Sequence, residues 1–392
     1  MHDVLIIGDL HLGKTSSIGK YIPGSVYNGR IIDQINNLDW IISVIQENLI
    51  NYVIFTGDIF ESSKPDYYLI EIFVNFLHKI SEFGVESHVV VGNHDLKKIG
   101  NHFYSPLYFI DSLEINNVHF HKNVKTILVN KTYFTFLPFY DRKFLNCEKN
   151  SDALLVIKNF IENELKNVEK ERVKVLVGHL SIEGAFYVGD EIDDVLNELF
   201  CPIQFFKDYN FVWMGHVHKP QILNKIPHVA HVGSFDFSGF EEANQNKISI
   251  LFDSNSGSYK ELPNKLRPLK KIFVEVKENE DPNIILEEEI KNHDLKNSII
   301  KIEVITASQI LLNKNQIEQS LYDSGVYYIS DFIEKRNLSL QKLDSKGNNV
   351  ICSTEPEKAI EFWSNKIESE EDRNLYLKFA KETLSEFKER QK

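Results

Sequence analysis

The chain from Val4 to about Ser238 alternates short, continuous apolar runs with longer stretches in which apolar residues recur every three or four positions. Continuous runs are typical of buried strands, and the longer recurrence is typical of helices with one apolar face. Two such helices are predicted, from Gly29 to about Asn48 and from Pro65 to Phe83, with Gly84 placed to end the second. The pattern therefore predicts an α/β domain in which helices cover a sheet of parallel or mixed strands.

A change of composition near residue 265 predicts a domain boundary. The stretch from Asn264 to Lys271 is rich in Pro and Lys, as linkers often are. Two strand-like runs that flank an acidic helical stretch follow it, which predicts a small second α/β domain. The strand-like runs are Lys271 to Val276 and Ser298 to Ile305, and the helical stretch is Pro282 to His293. We therefore divide the chain into residues 1–265, 266–345 and 346–392.

The last part of the chain carries aromatic residues at helical spacing. From Glu357 to Lys392 it is rich in Glu and Lys and has one apolar stripe. Such a stripe is expected either in a pair of surface helices or in a docking site for another protein. The stripe consists of Ile360, Phe362, Trp363, Leu375, Leu377, Phe379, Leu384 and Phe387. The pattern by itself leaves both interpretations open.

Composition and charge restrict the class of protein further. Of the 392 residues, 42% are hydrophobic, which is enough for a buried core and excludes global disorder. The net charge of −13 argues against a protein that coats nucleic acid by bulk positive charge, but leaves room for local basic patches or bound cations. The three cysteines are far apart, the N-terminal apolar run lacks a basic flank, and no apolar run is long enough to span a membrane. We therefore expect a soluble, cytoplasmic protein without disulfides or a thiolate zinc site.

Five apolar runs each end in Gly followed by a residue that can bind a metal ion. In a sheet covered by helices, the carboxyl ends of neighbouring strands form a crevice for ligands, and Gly lets the backbone turn sharply there. Two of these endings carry a further histidine two positions later, His11 after Asp9 and His218 after His216. The five endings are Gly8-Asp9, Gly57-Asp58, Gly92-Asn93, Gly178-His179 and Gly215-His216.

The chemistry of this set predicts a centre for two divalent cations. Carboxylate and amide oxygens together with imidazole nitrogens suit manganese, iron or zinc, and one aspartate can bridge two ions. Cations would also offset the repulsion between Asp9 and Asp58. A single Asp after Gly is more often a turn or helix N-cap residue, and a lone buried His more often bonds a backbone carbonyl. Seven such residues at five strand ends are more consistent with one metal centre.

In order and spacing, these motifs resemble those of the calcineurin-like metallophosphoesterases. Within that superfamily, the chain resembles the SbcD family of DNA repair and recombination nucleases. The segments that carry the resemblance are Gly8-Asp9-Leu10-His11, Gly57-Asp58-Ile59-Phe60, Gly92-Asn93-His94-Asp95, Gly178-His179, Gly215-His216-Val217-His218-Lys219-Pro220-Gln221, Val232-Gly233-Ser234 and Phe240-Glu241-Glu242. The resemblance implies an α/β fold with a β-sandwich flanked by helices, a small α/β capping domain that positions DNA, and a C-terminal helical segment that binds an ATPase.

The resemblance also implies which residues hold the metals. One manganese ion would be held by Asp9, His11, Asp58 and His218, and a second by Asp58, Asn93, His179 and His216. Asp58 would then bridge the two ions and serve catalysis directly. His94 follows a ligand without being one, and it is the candidate proton donor to the leaving sugar oxygen, the alternative being a histidine that only orders the loop. For Asp95 we favour capping or loop bracing.

One position departs from the SbcD-like pattern. Where the family has Asp-x-Phe-His, the chain has Glu61, so that an acid replaces an imidazole near the expected position of the phosphate. If Glu61 faces the metals, it would alter the rate, the ion preference or the balance between exonuclease and endonuclease action. If it faces water, it would have no effect. The sequence leaves these alternatives open, and Glu61 is not predicted to be a ligand.

The activity implied by the resemblance is manganese-dependent cleavage of DNA, as a 3′-5′ double-strand exonuclease and a single-strand or hairpin endonuclease, in complex with an SbcC-type ABC ATPase. A homodimer is also implied, formed through helices after the second and third motifs, although buried core is the competing interpretation of their apolar residues. These residues are Tyr67, Ile70, Phe73, Phe76, Phe103, Tyr104, Leu107, Tyr108 and Phe109. The abundance of Ile, Asn and Lys is compatible with a low-GC bacterium or with a phage protein in its host.

Support for DNA binding from the residues themselves is limited to short basic runs, which are more often solvated surface. The candidate phosphate contacts are Lys14, Lys20, Arg30, Lys97, Lys98, Lys219, Lys265, Arg267, Lys270 and Lys271. Two other functions would use the same residues, a small-molecule phosphodiesterase or phosphatase and a non-catalytic DNA-end or ATPase scaffold. The long extension beyond the catalytic domain argues against the first, and the stability cost of an idle cluster of acids argues against the second.

Overall fold

The computed structural model describes the chain except for residues 1, 16–17, 101, 189–197, 337–339, 344–348, 353–359, 361–363, 365–368 and 391–392. The chain divides into two compact units. The first unit contains Met1–Lys271, Leu295–Lys301 and Gly325–Ser330, and the second contains Ile272–Asp294, Ile302–Ser324 and Asp331–Lys392. No helix in the described parts of the chain is long and apolar enough to cross a membrane.

The first unit contains sixteen of the strands and four of the α-helices that the structure describes. The strands are β1 (Val4–Ile7), β2 (Tyr52–Phe55), β3 (Glu86–Val90), β4 (Lys97–Ile99), β5 (His102–Tyr104), β6 (Val118–His121), β7 (Lys125–Val129), β8 (Thr132–Leu137), β9 (Val173–Gly178), β10 (Ser181–Ile182), β11 (Phe200–Cys201), β12 (Phe211–Met214), β13 (Gln221–Asn224), β14 (His228–His231), β15 (Ile248–Phe252) and β16 (Tyr259–Pro263). The helices are α1 (Gly29–Asn48), α2 (Tyr67–Glu82), α3 (Pro106–Asp111) and α4 (Asn150–Glu164).

Two six-stranded sheets form the frame of this unit. Their strand orders are β16-β15-β1-β2-β3-β6 and β13-β14-β12-β9-β8-β7. In the first sheet β1, β2, β3 and β6 run parallel, and in the second β8, β9, β12 and β14 run parallel. Antiparallel strands complete the edges, which confirms the predicted mixed architecture. Because parallel strands end at the same edge of a sheet, the loops that carry the five predicted motifs meet there.

The alternation of side chains along β1 explains the layers. Val4 and Ile6 pack into a core between the two sheets, where Phe134 and Trp213 come from the second sheet. Leu5 and Ile7 face the other side of the sheet and pack on residues of α1 and α2. Since β1 is buried on both faces, it has to be a continuous apolar run rather than an alternating one.

Both predicted helices are confirmed. Helix α1 begins after Asn28, whose side-chain oxygen accepts from the backbone N–H groups of Arg30 at 2.9 Å and Ile31 at 3.0 Å. Such a cap satisfies two amides that the first helical turn leaves without a partner. Helix α2 begins two residues later than the pattern indicated, because Pro65 and Asp66 lie before its first turn.

Buried core is the correct interpretation for part of the apolar set after the second and third motifs. Phe73, Phe76 and Leu107 are buried in the core that covers the first sheet. Tyr67 and Phe109, by contrast, are exposed by 91% and 57%. Only the exposed members of this set are therefore available to a partner.

The second unit is built from a three-stranded sheet with helices. The elements that lie wholly or mostly in it are β17 (Leu269–Val276), α5 (Pro282–Lys291), β18 (Ile299–Thr306), α6 (Lys314–Asp323), β19 (Tyr328–Arg336), β20 (Leu340–Leu343), β21 (Asn349–Cys352) and α7 (Glu370–Arg390). The sheet has the order β17-β18-β19, so the predicted strand, helix and strand are confirmed. In β17 buried and exposed residues alternate, as expected for a strand with one face on a core.

The segment 346–392, predicted to be helical, contains a strand as well as a helix. Its first part contains β21, which pairs with β20 in an antiparallel arrangement, and the helix α7 follows later. Phe362 and Trp363 of the predicted stripe lie outside the described residues, whereas Tyr376 and Phe379 on α7 are exposed. The division of the C-terminal part into 266–345 and 346–392 stays a prediction.

Candidate metal centre

The loops that follow β1 and β2 are hydrogen-bonded to each other along their length. The backbone N–H groups of Leu10 and His11 both donate to the carbonyl of Asp58, at 3.1 and 3.0 Å. Further along, the N–H of Glu61 donates to the carbonyl of Leu12 at 3.0 Å. The first two motifs are therefore held in fixed register by the backbone alone.

Three of the predicted ligands have left-handed backbone conformations. The φ angles are 45° for His11, 45° for Asp58 and 76° for His216. Non-glycine residues rarely adopt positive φ, because the Cβ atom then lies close to the backbone, and such strain is concentrated at functional sites. These loops turn so sharply after their strands that the side chains point back over the sheet edge.

Two glycines leave the space that the carboxylates occupy. A Cβ atom on Gly92 would collide with the carboxylate of Asp58, and one on Gly215 would collide with that of Asp9. Gly92 and Gly215 are therefore required by close approach, whereas Gly57, with a φ of 127°, is also required by its backbone conformation. The close approach of neighbouring side chains, and not only the turn of the backbone, therefore explains why these strand endings carry Gly.

Asp9, His11 and His218 form the first group of side chains. One potential ligand atom from each lies within 4.8 Å of the others, and all three residues are buried. The Nε2 atoms of His11 and His218 are 3.0 Å apart. The Asp9 carboxylate is oriented by Thr56, whose hydroxyl donates to it at 2.9 Å, and by the N–H of His216 at 2.7 Å. This arrangement directs two imidazoles and one carboxylate at a single point.

Asp58, His179 and His216 form a second such group. The Oδ1 atom of Asn93 completes it, at 2.8 Å from Nε2 of His179 and 2.9 Å from Nδ1 of His216. Asp58 lies between the two groups, because its Oδ2 atom is 3.1 Å from Nε2 of His179 and 3.9 Å from Nε2 of His11. The structure therefore brings all seven predicted ligands together, with Asp58 in the central position.

Each of the four imidazoles also has an oxygen atom close to its outer ring nitrogen. In every case the nitrogen that faces away from the cluster lies near an oxygen that can accept its proton. The pairs are His11 Nδ1 with Glu61 at 3.0 Å, His179 Nδ1 with the carbonyl of Thr56 at 3.1 Å, His216 Nε2 with Glu198 at 2.7 Å and His218 Nδ1 with Glu242 at 3.0 Å. An acceptor on the outer nitrogen fixes the tautomer whose inner nitrogen is free to bind a cation. The donor set thus fits divalent metal ions in both chemistry and orientation.

The carboxylates and imidazoles of the cluster shift each other's pKa values. Burial alone would lower the pKa of His179, but Asp58 and Asp9 beside it raise that pKa to about 9. Burial opposes ionisation of Asp58, yet His179, His94 and His11 hold its pKa below the ordinary range. Asp58 is therefore ionised at neutral pH, which is the state that a metal ligand needs.

His94 lies beside this cluster and is fixed by its neighbours. Its backbone N–H donates to Oδ1 of Asp58 at 2.8 Å, and its Nδ1 is 2.8 Å from the carbonyl of Glu61. Burial lowers the pKa of His94, but Asp58 and Glu61 outweigh burial and raise it. His94 lines a cleft together with five of the seven predicted ligands, which are His11, Asp58, Asn93, His216 and His218. A protonated imidazole in this position is able to donate a proton to a group in the cleft.

Asp95 has the bracing role that the sequence favoured. It is completely buried, and its carboxylate accepts from the backbone N–H groups of Ile59, Phe60 and Gly92 at 3.1 to 3.3 Å. These contacts join the loops after β2 and β3. Asp95 therefore stabilises the positions of Asp58 and its neighbours without reaching the cleft.

Sequence reasoning missed the role of the outer carboxylates. Glu198 lies in a stretch without a recognisable motif, and its contact with His216 exists only in the tertiary structure. Glu242 belongs to a segment that carried the family resemblance, but nothing in the pattern paired it with His218. In addition, Lys247 is buried and contacts Glu242 at 2.8 Å. A search for acidic residues near each histidine in space, rather than in sequence, is needed to find such pairs.

Several of the candidate phosphate contacts are engaged elsewhere in the first unit. Arg30 is buried and pairs with Asp236 at 2.8 Å, and Arg267 pairs with Asp33 at 2.7 Å. Lys14 contacts Glu61 at 2.7 Å. Lys20 donates to the carbonyl of Tyr327, Lys98 donates to the carbonyl of Lys143, and Lys219 lies over the ring of Phe186. Arg30 and Arg267 therefore serve the fold, which is the competing interpretation of a short basic run.

Comparison with known proteins supports the interpretation of the motifs. Residues 2–220 match the model of the family described as calcineurin-like phosphoesterase. The chain is 22% identical to the SbcD component of the nuclease SbcCD of Escherichia coli (strain K12), over 78% of this chain and 87% of that protein. It is 23% identical to the protein of that name from Staphylococcus epidermidis, over 73% and 77% of the two chains. It is also 23% identical to "Exonuclease subunit 1" of Enterobacteria phage T4, over 67% of each chain.

Proposed function

Because the chain belongs to the calcineurin-like phosphoesterase family, it is a metal-dependent phosphoesterase, and we propose that its substrate is DNA. The proposed activity is that of a manganese-dependent 3′-5′ double-strand exonuclease and single-strand or hairpin endonuclease. Its proposed role is that of the nuclease subunit of an SbcC–SbcD-type complex in DNA end processing, repair or recombination. The support is similarity to SbcD proteins over most of both chains and to a phage exonuclease subunit.

The observation that carries this proposal is the convergence of seven potential ligands on one central aspartate. We assign one cation to Asp9, His11, Asp58 and His218, and the other to Asp58, Asn93, His179 and His216. The fit rests on donor chemistry, because hard oxygens and imidazoles suit manganese and no thiolate takes part. When bound, two cations would lower the pKa of a water molecule between them and neutralise the charge of a phosphodiester.

The residues of the chain contribute orientation and proton transfer. Asp58 is placed to hold the two halves of the site at a fixed separation, while outer acceptors keep the imidazole rings from rotating. His94 is the candidate acid, and its contact with the Glu61 carbonyl leaves Nε2 as the nitrogen available to the cleft. Donation from this nitrogen to the leaving sugar oxygen would complete cleavage of the phosphodiester.

A second cleft adjoins the first and shares part of its lining. Asn93, His94 and His216 line both clefts, and the half-buried Phe139 lines the second. Aromatic rings beside a phosphodiester site are able to stack on unpaired bases. This feature favours a nucleic acid over a small phosphomonoester.

The partners remain proposals of the same kind. We assign an SbcC-type ABC ATPase with a coiled coil to the C-terminal part, where Tyr376 and Phe379 are exposed on α7. A homodimer would use exposed aromatic residues such as Tyr67 and Phe109. A cytoplasmic location, in a bacterium or in a phage-infected cell, fits a DNA substrate and an ATPase partner.

The function is tested by turnover assays in the presence of manganese. Purified protein is incubated with linear duplex DNA, single-stranded DNA and bis-p-nitrophenyl phosphate, with and without its ATPase. DNA cleavage that is abolished by Asp58→Ala and reduced by roughly 10²- to 10⁴-fold by His94→Ala is expected. His78→Ala serves as the matched control, because His78 is exposed on α2 away from the site.

Other results would reassign the function. Turnover of the small diester without DNA cleavage, even with the ATPase, would indicate a small-molecule phosphodiesterase or phosphatase. DNA binding without turnover of any substrate would indicate a non-catalytic scaffold. Unchanged DNA cleavage by Asp58→Ala would refute the assignment of the metal centre.

A further inference from the structure

Glu61 is brought to the metal centre by the register of two loops. Leu12 and Phe60 form a parallel bridge, and the N–H of Glu61 donates to the Leu12 carbonyl at 3.0 Å. Because the loops after β1 and β2 run side by side in this way, the side chain of residue 61 emerges next to His11. Whatever residue stands at this position has to face the site rather than solvent. This resolves the alternative that the sequence left open.

The carboxylate of Glu61 lies behind His11. Its Oε2 atom is 3.0 Å from Nδ1 of His11, while Nε2 of His11 points into the cluster, 3.0 Å from Nε2 of His218. Nδ1 of His11 and Oε2 of Glu61 are both buried, and apart from the 3.0 Å contact between them, which does not have ideal hydrogen-bond geometry, neither atom has a hydrogen-bond partner among the described residues. His11 is buried, so its Nδ1 proton would be without an acceptor if Glu61 were absent.

Glu61 is itself held in place by Lys14. The Lys14 ammonium is 2.7 Å from Oε1 of Glu61, the oxygen that does not face His11. The two oxygens of one carboxylate can therefore serve two partners at once. An imidazole at position 61 could not do this, because a neutral ring has only one accepting nitrogen. The chain thus combines an acid at position 61 with a cation at position 14.

We propose that Glu61 is a positioning residue for the cation site of Asp9, His11 and His218, and that it holds His11 in the tautomer with the proton on Nδ1. This inference rests on the proposed function only in assuming that the cluster binds cations. Outer partners of metal-binding histidines typically contribute about 10- to 100-fold to metal affinity. The acid is therefore a replacement for the family's histidine in this chain that keeps one cation site assembled.

The side chain and the backbone carbonyl of Glu61 contact different imidazoles. His94 contacts the carbonyl of Glu61, whereas His11 contacts its carboxylate. Substitution of the side chain consequently leaves the contact with His94 in place. The hydrogen bond that orients His94 is therefore kept, although the carboxylate charge that also raises the pKa of His94 is lost.

The proposal is tested by manganese titration of the full chain, followed by the EPR signal of free Mn²⁺. We expect wild-type protein to bind two ions, and Glu61→Ala to bind one of them roughly 10- to 100-fold more weakly. Glu61→Gln keeps one accepting oxygen at nearly the same size and should restore part of the affinity. Glu47→Gln, at an exposed position on α1, is the matched control and should bind like wild type.

A second measurement reports on the tautomer directly. In protein labelled with ¹⁵N-histidine and without added metal, long-range ¹H–¹⁵N spectra distinguish a proton on Nδ1 from one on Nε2, and the His11→Gln variant identifies the signals of His11. We expect the Nδ1-protonated form in wild type and a mixture in Glu61→Ala. Unchanged spectra and two ions at unchanged affinity in Glu61→Ala would overturn the role of Glu61 alone. Wild-type protein that binds no cation would overturn this proposal and the proposed function together.

Discussion

Replacement of Gly92 by Ala is expected to disable the centre through one methyl group. Gly92 does not have a positive φ angle, so Ala can adopt its backbone conformation without strain. The effect of the substitution is therefore confined to the space beyond the new Cβ atom. That space is occupied by Asp58, the residue that lies between the two groups of ligands.

The size of the effect follows from the contact distances. The Cβ atom would lie 2.8 Å from Cγ of Asp58 and closer still to one carboxylate oxygen and to the backbone nitrogen, whereas ordinary contacts begin at 3.4 Å. Because the carboxylate oxygen is the nearest of these atoms, Asp58 has to move by more than about 1 Å to restore ordinary contact, while metal–ligand distances tolerate only about 0.2 Å. A misplacement of about 1 Å costs on the order of 10²-fold in rate. Overpacking of this kind also costs about 1–3 kcal/mol of stability.

The assay compares Gly92→Ala with Gly84→Ala. Gly84 has a φ of 73° and open space around it, so Ala there costs about 1–2 kcal/mol of stability without touching the site. We expect both variants to melt at lower temperature, but only Gly92→Ala to lose manganese binding and at least about 10²-fold in the hydrolysis of bis-p-nitrophenyl phosphate. The reasoning is refuted if Gly92→Ala, still folded by circular dichroism, binds two ions and turns over at the wild-type rate.

Three further predictions concern the carboxylate of Glu198, the stability of the protein at low pH and the removal of manganese. Glu198→Gln should lower the affinity for one of the two cations roughly 10- to 100-fold in the manganese titration. Unchanged affinity would contradict the proposed role of Glu198 in orienting His216. Burial holds the pKa of His121 at about 2, so its contribution to stability is complete above its ordinary value of 6.5 and is lost as the pH falls. At pH 5 this contribution has fallen by about 2 kcal/mol, at about 1.36 kcal/mol per pH unit. Because other buried histidines such as His231, whose pKa is lowered by burial to about 3, also lose stability in acid, urea unfolding should show a loss between pH 7 and pH 5 that is about 2 kcal/mol smaller in His121→Gln than in wild type, and an equal loss in the two proteins would contradict this role. Removal of manganese by EDTA should lower the melting temperature by a few degrees, because ions that bind only the folded state stabilise it by about 2.7 kcal/mol at 100 times their Kd. Equal melting curves with and without EDTA would argue against bound cations.

The sequence determined the frame of the protein and the positions of its candidate ligands. Strands such as β1 are buried on both faces, so their apolar runs are continuous and easily recognised. The carboxyl ends of parallel strands meet at one edge, and a Gly followed by a ligand at five such ends therefore specifies one cluster. Helices such as α1 were predicted because one apolar face repeats with the helical period.

Only the tertiary structure decided which residues surround that cluster. Glu198 and Glu242 meet His216 and His218 only in the folded chain, and no local period in the sequence records such contacts. The register of two loops, rather than the residue type, turned Glu61 toward His11. Likewise, Phe73 became core while Tyr67 stayed exposed on the same helix, because helix α2 presents only one face to the sheet. Short-range patterns determine the helices, the strands and the strand ends that carry the ligands. The neighbours of a side chain depend instead on how distant segments pack together.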